Sequence, residues 1–103
     1  SNLSARIHLK SEFLINANLE ILKKYESSGY QNNYAASFPS ININEEHSLL
    51  KILFDPQTNG PLLIAIDKEK KSEFEKEFEK NYDFSPLLLG EFIEQKEKLL
   101  YCD

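Results

Sequence analysis

The residues best suited to hold a ligand form one polar turn, which leads directly into the most apolar run of the chain. Asp55-Pro56 predicts a turn, because proline fixes its own φ and disfavours the helical region at the residue before it. Gly60 can take a positive φ without steric cost, and Asn59 tolerates one better than most residues. A loop fixed by a rigid strand keeps backbone N–H groups free for binding. The candidate ligand-loop residues are therefore Asp55, Gln57, Thr58, Asn59 and Gly60.

Two roles are open for this loop. In the first, Gln57, Thr58 and the backbone of Gly60 contact a ligand, while Asp55 either orients the loop or meets a cation. In the second, Asp55 and Thr58 bond only to the backbone of their own loop, as aspartate and threonine commonly do in turns. Both roles depend on the same residues, so this loop is the candidate site.

The two histidines and the cysteine favour structural roles. His8 falls on the polar side of an alternating segment, so we expect it to face water. His47 lies beside Glu45 and Glu46, but a metal site needs three or four converging ligands, and we expect a solvated helix start instead. Cys102 has no histidine or lysine beside it in sequence, which favours a partly packed structural thiol over a nucleophile. We therefore predict no catalytic residue and no metal site.

Length, composition and charge limit the class of protein. The 103 residues fit a single domain, and 41% hydrophobic with 28% charged residues is typical of soluble globular proteins. No apolar stretch approaches the ~20 residues of a membrane span, and a net charge of -5 argues against a nucleic-acid partner. One cysteine fits a reducing compartment, so we expect a cytoplasmic protein. The absence of methionine favours a domain excised from a longer protein.

The first half of the chain predicts a strand, a helix, a loop and a short helix. Alternating side chains indicate an edge strand over residues 5–9. Apolar residues at helical spacing predict a helix over residues 16–28, with Asn16 as the N-cap and Gly29 just after its end. Residues 30–44 are polar and predict an irregular loop, whereas residues 45–54 begin with two acids and predict a short helix.

The second half predicts a strand, a helix and two more strands. Residues 62–66 are continuously apolar, which favours a central strand covered on both faces. Asp67 can cap a helix over residues 68–81, and residues 87–94 predict a strand in which Gly90 marks a bulge or a close approach. The helix carries a stripe of aromatic residues four apart, and the last strand covers residues 99–102. This order of elements predicts an α+β domain with a mixed or mostly antiparallel sheet covered by helices.

The loop also carries a family resemblance. Residues 55–63 resemble the Asp-Pro-Gln-Thr-Ser-Gly-Gly-Leu-Leu segment in the C-terminal half of selenophosphate synthetase (selenide, water dikinase), and depart from it at Asn59 and Pro61. Residues 87–93 are similar to the closing hydrophobic-Gly-Glu-hydrophobic strand of that family. Upstream, the apolar pattern that ends at Gly29 resembles a family helix that ends in glycine.

The resemblance implies the C-terminal domain of the aminoimidazole-ribonucleotide-synthetase-like superfamily. The complete enzyme would form selenophosphate from ATP, selenide and water, as a phosphotransferase. Its N-terminal half would hold ATP and Mg²⁺, together with the reactive cysteine or selenocysteine and its lysine, so this chain alone would bind no cofactor and catalyse nothing. The implied partner is that N-terminal ATP-binding domain, and a homodimer is left open.

A second interpretation is a non-catalytic interaction domain or a degenerate domain attached to another enzyme. Pro61 favours it, because proline removes a backbone N–H that glycine would offer to an anion. The three glycines of the chain form no phosphate-binding motif, and phosphoryl transfer needs such a motif together with carboxylates for Mg²⁺.

Overall fold

A computed structural model describes residues 2–13, 24–56 and 62–103. The described residues form a mixed four-stranded sheet and two α-helices, which confirms the predicted α+β class. The chain divides into two compact units, one made of Ser1–Gln57 with Leu89–Asp103 and the other of Thr58–Leu88. Within the described ranges, no helix combines the length and apolarity needed to cross a membrane.

The sheet belongs to the first unit and has the strand order β2-β4-β1-β3. These strands span Ile41–Asn42 (β2), Leu100–Cys102 (β4), Leu3–Ile7 (β1) and Gly90–Glu94 (β3). β1 pairs antiparallel with β3 and parallel with β4, so it is an interior strand and the predicted edge strand is wrong. Alternation reports which side chains share a face but not how many neighbours a strand has, so it could not distinguish the two positions.

A buried hydroxyl on β1 bonds to the connection between β3 and β4. Ser4 is 1% exposed, and its Oγ donates to the carbonyl oxygen of Lys98 at 2.8 Å. The same Oγ accepts from the backbone N–H of Lys96 at 2.9 Å, so the segment that connects β3 to β4 is hydrogen-bonded to β1 at two points. Both bonds satisfy a polar group that burial would otherwise leave costly.

Gly90 is the close-approach point that the sequence predicts. It pairs with Ile7 in the ladder, and a Cβ at this position would clash with the carbonyl oxygen of Arg6 and lie 2.8 Å from Cα of Ile7. β3 begins at this glycine, so the strand is shorter than the predicted 87–94. The last strand is confirmed as Leu100–Cys102.

A helix occupies part of the segment predicted as an irregular loop. This helix, α1, spans Ser28–Ser37, and Ser27 caps it by accepting the Tyr30 backbone N–H at 3.0 Å. Gly29 therefore lies in the first turn of a helix and not after the end of one. Of the rest of the predicted helix over residues 16–28, residues 16–23 lie outside the described ranges, Lys24 is helical, and residues 25–27 are not.

The predicted helix over residues 45–54 is shorter and tighter than expected. A turn comes first, in which the side-chain oxygen of Asn44 accepts the Glu46 backbone N–H at 2.9 Å. Only Leu50–Phe54 is helical, as a 3-10 helix with bonds such as Ile52 N–H to the Leu49 carbonyl at 3.1 Å. The Asn44 side chain offers the backbone an alternative to helix, which moves the helix start toward the C-terminus.

The second unit contains the predicted amphipathic helix. A 3-10 turn, Lys68–Lys70, leads into α2, Lys71–Asn81. Asp67 lies at the cap position, but its side chain makes no capping hydrogen bond. The predicted aromatic stripe is present, with ring centroids 6.0 Å apart for Phe74 and Phe78 and 4.6 Å apart for Phe78 and Tyr82.

Residues 62–66 are not a covered central strand. Residues 62–67 belong to no strand, and the side chains of Leu62 and Leu63 are 84% and 76% exposed. A strand needs a neighbour to receive its backbone hydrogen bonds, and an apolar run does not by itself supply one.

Candidate functional site

The structure describes the start of the predicted ligand loop. Asp55 follows the 3-10 helix Leu50–Phe54 with an extended backbone, at φ -66° and ψ 125°, and Pro56 comes next. Gln57, Thr58, Asn59 and Gly60 lie outside the described ranges, as does Pro61. Their role in ligand contact therefore stays a prediction. The segment that leads into them, residues 49–56, is called the loop stem below.

Phe54 anchors the loop stem in an aromatic cluster. Its side chain is 1% exposed, and its ring centroid lies 6.0 Å from Tyr30, 5.0 Å from Tyr34 and 6.3 Å from Phe38, each in an edge-on arrangement. Tyr34 and Phe38 in turn stack at 4.5 Å. Aromatic pairs contribute about 0.5–1.5 kcal/mol each beyond the area they bury, so the residue directly before Asp55 is held firmly.

α1 also holds the backbone of the loop stem. The Asn33 side-chain amide donates to the carbonyl oxygen of Phe54 at 3.0 Å. Pro56 lies against Gly29, where a Cβ would come within 3.1 Å of the proline Cγ. Thus an amide hydrogen bond and a close packing contact fix the backbone on either side of Asp55. These contacts could not be predicted from local sequence patterns, because they join residues more than twenty positions apart, as in the separation of 21 for Asn33 and Phe54.

A salt bridge borders the aromatic cluster. The Lys51 ammonium lies 2.8 Å from the Glu26 carboxylate and 6.0 Å from the centroid of the Tyr30 ring. The hydrogen bond from Lys51 holds the pKa of the Glu26 carboxyl below its ordinary value. Folding therefore favours the ionised carboxylate, and this contribution is present at neutral pH and lost as the pH falls through the carboxyl range. Burial raises the pKa of the Tyr30 phenol above its ordinary value.

Both histidines meet Asp103, the residue after β4. The Nδ1 of His8 lies 2.7 Å from the Asp103 carboxylate, and the Nε2 of His47 lies 2.8 Å from the Asp103 carbonyl oxygen. His47 also accepts the Leu49 backbone N–H on Nδ1 at 3.1 Å. The predicted solvated role of His47 is therefore incomplete, since its ring connects the loop stem to the end of the sheet.

The described ranges contain no group of three or more His, Cys, Asp or Glu side chains that could hold a metal ion. The His8, His47 and Asp103 arrangement uses a backbone carbonyl for one of its two contacts, which leaves fewer than the three or four converging ligands that a metal site requires. The arrangement is therefore suited to hydrogen bonding between chain segments.

Cys102 is a buried thiol in β4. Burial, assisted by the negative charge of Asp103, raises the pKa of the Cys102 thiol to about 11. The thiolate is the nucleophilic and metal-binding form of cysteine, so a thiol that stays protonated at neutral pH is suited to neither role. Its burial agrees with the packed thiol that the sequence predicts.

We expect Cys102 to react slowly with iodoacetamide. Each pKa unit changes the thiolate fraction tenfold, so alkylation at neutral pH should be roughly 100-fold slower than for an exposed cysteine. Mass spectrometry of time points in native buffer measures this rate, and the same reaction in denaturant supplies the unhindered reference. Equal rates in the two conditions would show that the thiol is not buried and that its pKa is not raised as described.

No family model matches the chain, and no solved structure matches it. A selenide, water dikinase of Caldanaerobacter subterraneus subsp. tengcongensis is 35% identical over 57 residues. The match covers 55% of this chain and 17% of that relative, so the chain spans less than a fifth of the length of the protein it resembles. This likeness supports a relationship to selenide, water dikinase.

Proposed function

We propose that this chain is the C-terminal domain of a selenophosphate synthetase-like protein that forms selenophosphate from selenide and ATP. The observation that carries the proposal is the 35% identity over 57 residues to a selenide, water dikinase. The α+β architecture with a mixed sheet is compatible with the C-terminal domain that the loop sequence resembles.

In this proposal the chain supplies a positioned loop, and another part of the protein supplies the chemistry. The loop stem, packed through Phe54 and bonded through Asn33, holds the loop at its first residue. Gln57, Thr58 and the backbone of Gly60 then contact the substrate. The family resemblance of the loop sequence assigns ATP and Mg²⁺ to an N-terminal domain of the parent protein.

Recombination of the two parts of the protein tests this division of roles. Selenide-dependent ATP consumption is measured for this chain alone, for the upstream part alone, and for the two mixed. Activity only in the mixture supports a C-terminal domain that completes a site supplied elsewhere. Absence of activity in the mixture, when both parts are folded and bound to each other, contradicts the proposal.

A second candidate is a non-catalytic domain attached to another enzyme, favoured by the departures at Asn59 and Pro61 from the resembling loop sequence. Pro61, which replaces the second glycine of the resembling sequence, has no backbone N–H to donate to an anionic ligand. An intact upstream sequence with a reactive cysteine or selenocysteine and a lysine would favour the synthetase, and loss of these residues would favour the attached domain.

The Pro61→Gly substitution tests whether the loop backbone donates to a ligand. A hydrogen bond to a charged group contributes about 1.5–3 kcal/mol, and the added flexibility of glycine offsets about 0.4–1 kcal/mol of it. We therefore expect the intact protein to bind nucleotide or phosphate several-fold more tightly, as measured by isothermal titration calorimetry. Pro86→Gly, at a proline outside the loop, is the matched control and should leave the affinity unchanged. An unchanged affinity in Pro61→Gly would refute donation by the loop backbone at this position.

A further inference from the structure

We propose that His47 is a positioning residue that ties the loop stem to the end of β4, and that it does so only as a neutral imidazole with its hydrogen on Nε2. The contact with Asp103 was not expected from the sequence, and it joins residues 56 positions apart. The importance of the tie for catalysis rests on the proposed function, whereas the tie itself does not.

The partners of the ring define its protonation state. A backbone N–H can only donate, so the Leu49 amide, 3.1 Å from Nδ1, requires that nitrogen to accept. A carbonyl oxygen can only accept, so the Asp103 oxygen, 2.8 Å from Nε2, requires that nitrogen to carry the hydrogen. A single neutral tautomer meets both demands. Protonation of Nδ1 removes the acceptor and leaves two donors facing each other.

The bonded amide is at the start of the loop stem. Leu49 is 7% exposed and accepts the Ile52 N–H at 3.1 Å, which begins the 3-10 helix that ends in Phe54. The Leu50 N–H in addition donates to the His47 carbonyl at 3.1 Å. His47 thus holds the first residues of the stem through both its side chain and its backbone, while Phe54 holds the last ones.

The other end of the tie is also fixed. The Asp103 carbonyl that accepts from His47 accepts in addition the Leu9 N–H at 3.3 Å, and the Asp103 N–H donates to the Ile7 carbonyl at 3.1 Å. Asp103 is therefore held in register beside the end of β1. The His47 side chain, by bonding to Asp103, therefore links the loop stem to a residue that is itself hydrogen-bonded to β1.

The charged groups around the ring determine how the tie responds to pH. Across from His47, Asp103 carries a carboxylate that pairs with His8, and Glu45 and Glu46 lie exposed in the turn before the ring. Protonation of His8 strengthens its exposed pair with Asp103, whereas protonation of His47 breaks the bond to the stem. The two histidines thus act in opposite directions as the pH falls. Histidine is the side chain that ordinarily changes charge between about pH 5 and pH 8, so this is the range over which the tie is tested.

Hydrogen exchange in the intact protein tests this inference. After correction for intrinsic exchange rates, we expect the Leu49 amide to lose roughly 2- to 10-fold of its protection between about pH 8 and pH 5, which is the range expected for one lost hydrogen bond. His47→Asn supplies a non-titrating oxygen two residues before the same amide, and its protection should not change with pH beyond the correction. His8→Gln is the matched control on the same aspartate and should keep the wild-type pH dependence.

Unchanged protection of Leu49 in the wild-type protein would overturn the inference. So would a pH dependence that disappears in His8→Gln and persists in His47→Asn. The measurement needs neither selenide nor ATP. The exchange result can therefore be interpreted even if the proposed synthetase function is wrong. Conversely, an active synthetase in which the protection of the Leu49 amide does not change with pH would refute the role of His47 and would leave the proposed function unaffected.

Discussion

Phe54→Ala is expected to lower the free energy of unfolding by about 3–5 kcal/mol, because it removes the most buried aromatic side chain of the first unit. Phe54 is 1% exposed and contacts three other rings, so alanine leaves a cavity that α1 and the loop stem cannot both close. Small domains have total stabilities of about 5–15 kcal/mol, and this loss therefore removes a large fraction of the total. Urea denaturation followed by circular dichroism measures the change.

Two variants separate the loss of packing from the loss of an aromatic ring in general. Phe92→Ala removes a ring that is 63% exposed, and we expect it to cost less than about 1 kcal/mol. Phe54→Leu keeps most of the apolar volume and should recover a large part of the stability that alanine loses. Equal destabilisation by Phe54→Ala and Phe92→Ala would contradict the anchoring role of Phe54.

Gly90→Ala is expected to have the second large effect, because the new Cβ has no space beside β1. It would clash with the Arg6 carbonyl oxygen and lie 2.8 Å from Cα of Ile7, and all of these are backbone atoms of an interior strand. Backbone held on both sides cannot give way as the end of a side chain can, so we expect a loss of about 1–3 kcal/mol or a break in the β1–β3 ladder. Denaturant unfolding reports the first outcome, and exchange of the β3 amides reports the second.

Gly29→Ala is the matched control for this substitution. The nearest atoms to its Cβ would be Pro56 side-chain carbons at 3.1 and 3.3 Å, so a shift of only a few tenths of an ångström is required, and of side-chain and not backbone atoms. Gly29 also lies in the first turn of α1, where alanine is the better helix former, so we expect a small net change. A Gly90→Ala protein as stable as Gly29→Ala would show that the close approach to β1 is not what limits this position.

The elements that follow local rules were predictable from the sequence. The stripe of Phe74, Phe78 and Tyr82 defines one face of α2, because residues four apart in a helix are neighbours. Gly90 marks a close approach because an isolated glycine in a strand pattern commonly does. Ser27 followed by aromatic residues at positions 30, 34 and 38 would have predicted α1 as well, but the many asparagines around them favoured a loop.

The features that depend on distant partners were not predictable. β1 lies inside the sheet because β4 returns parallel to it, and no pattern within five residues reports that return. Residues 62–66 have the composition of a buried strand, yet a strand forms only where a neighbouring strand accepts its hydrogen bonds. The contacts of Asn33 with Phe54 and of His47 with Asp103 also join separate segments, so the sequence indicated the loop but not what holds it.

Selenide-dependent ATP consumption by the intact protein that carries this chain is the measurement that most directly tests its assignment to a selenophosphate synthetase. We expect ATP to be consumed only when selenide is present, and we expect Thr58→Ala in the loop to lower that rate while Ser85→Ala, outside the loop, leaves it unchanged. A folded protein that binds ATP but consumes none in response to selenide would contradict the assignment and favour a non-catalytic domain.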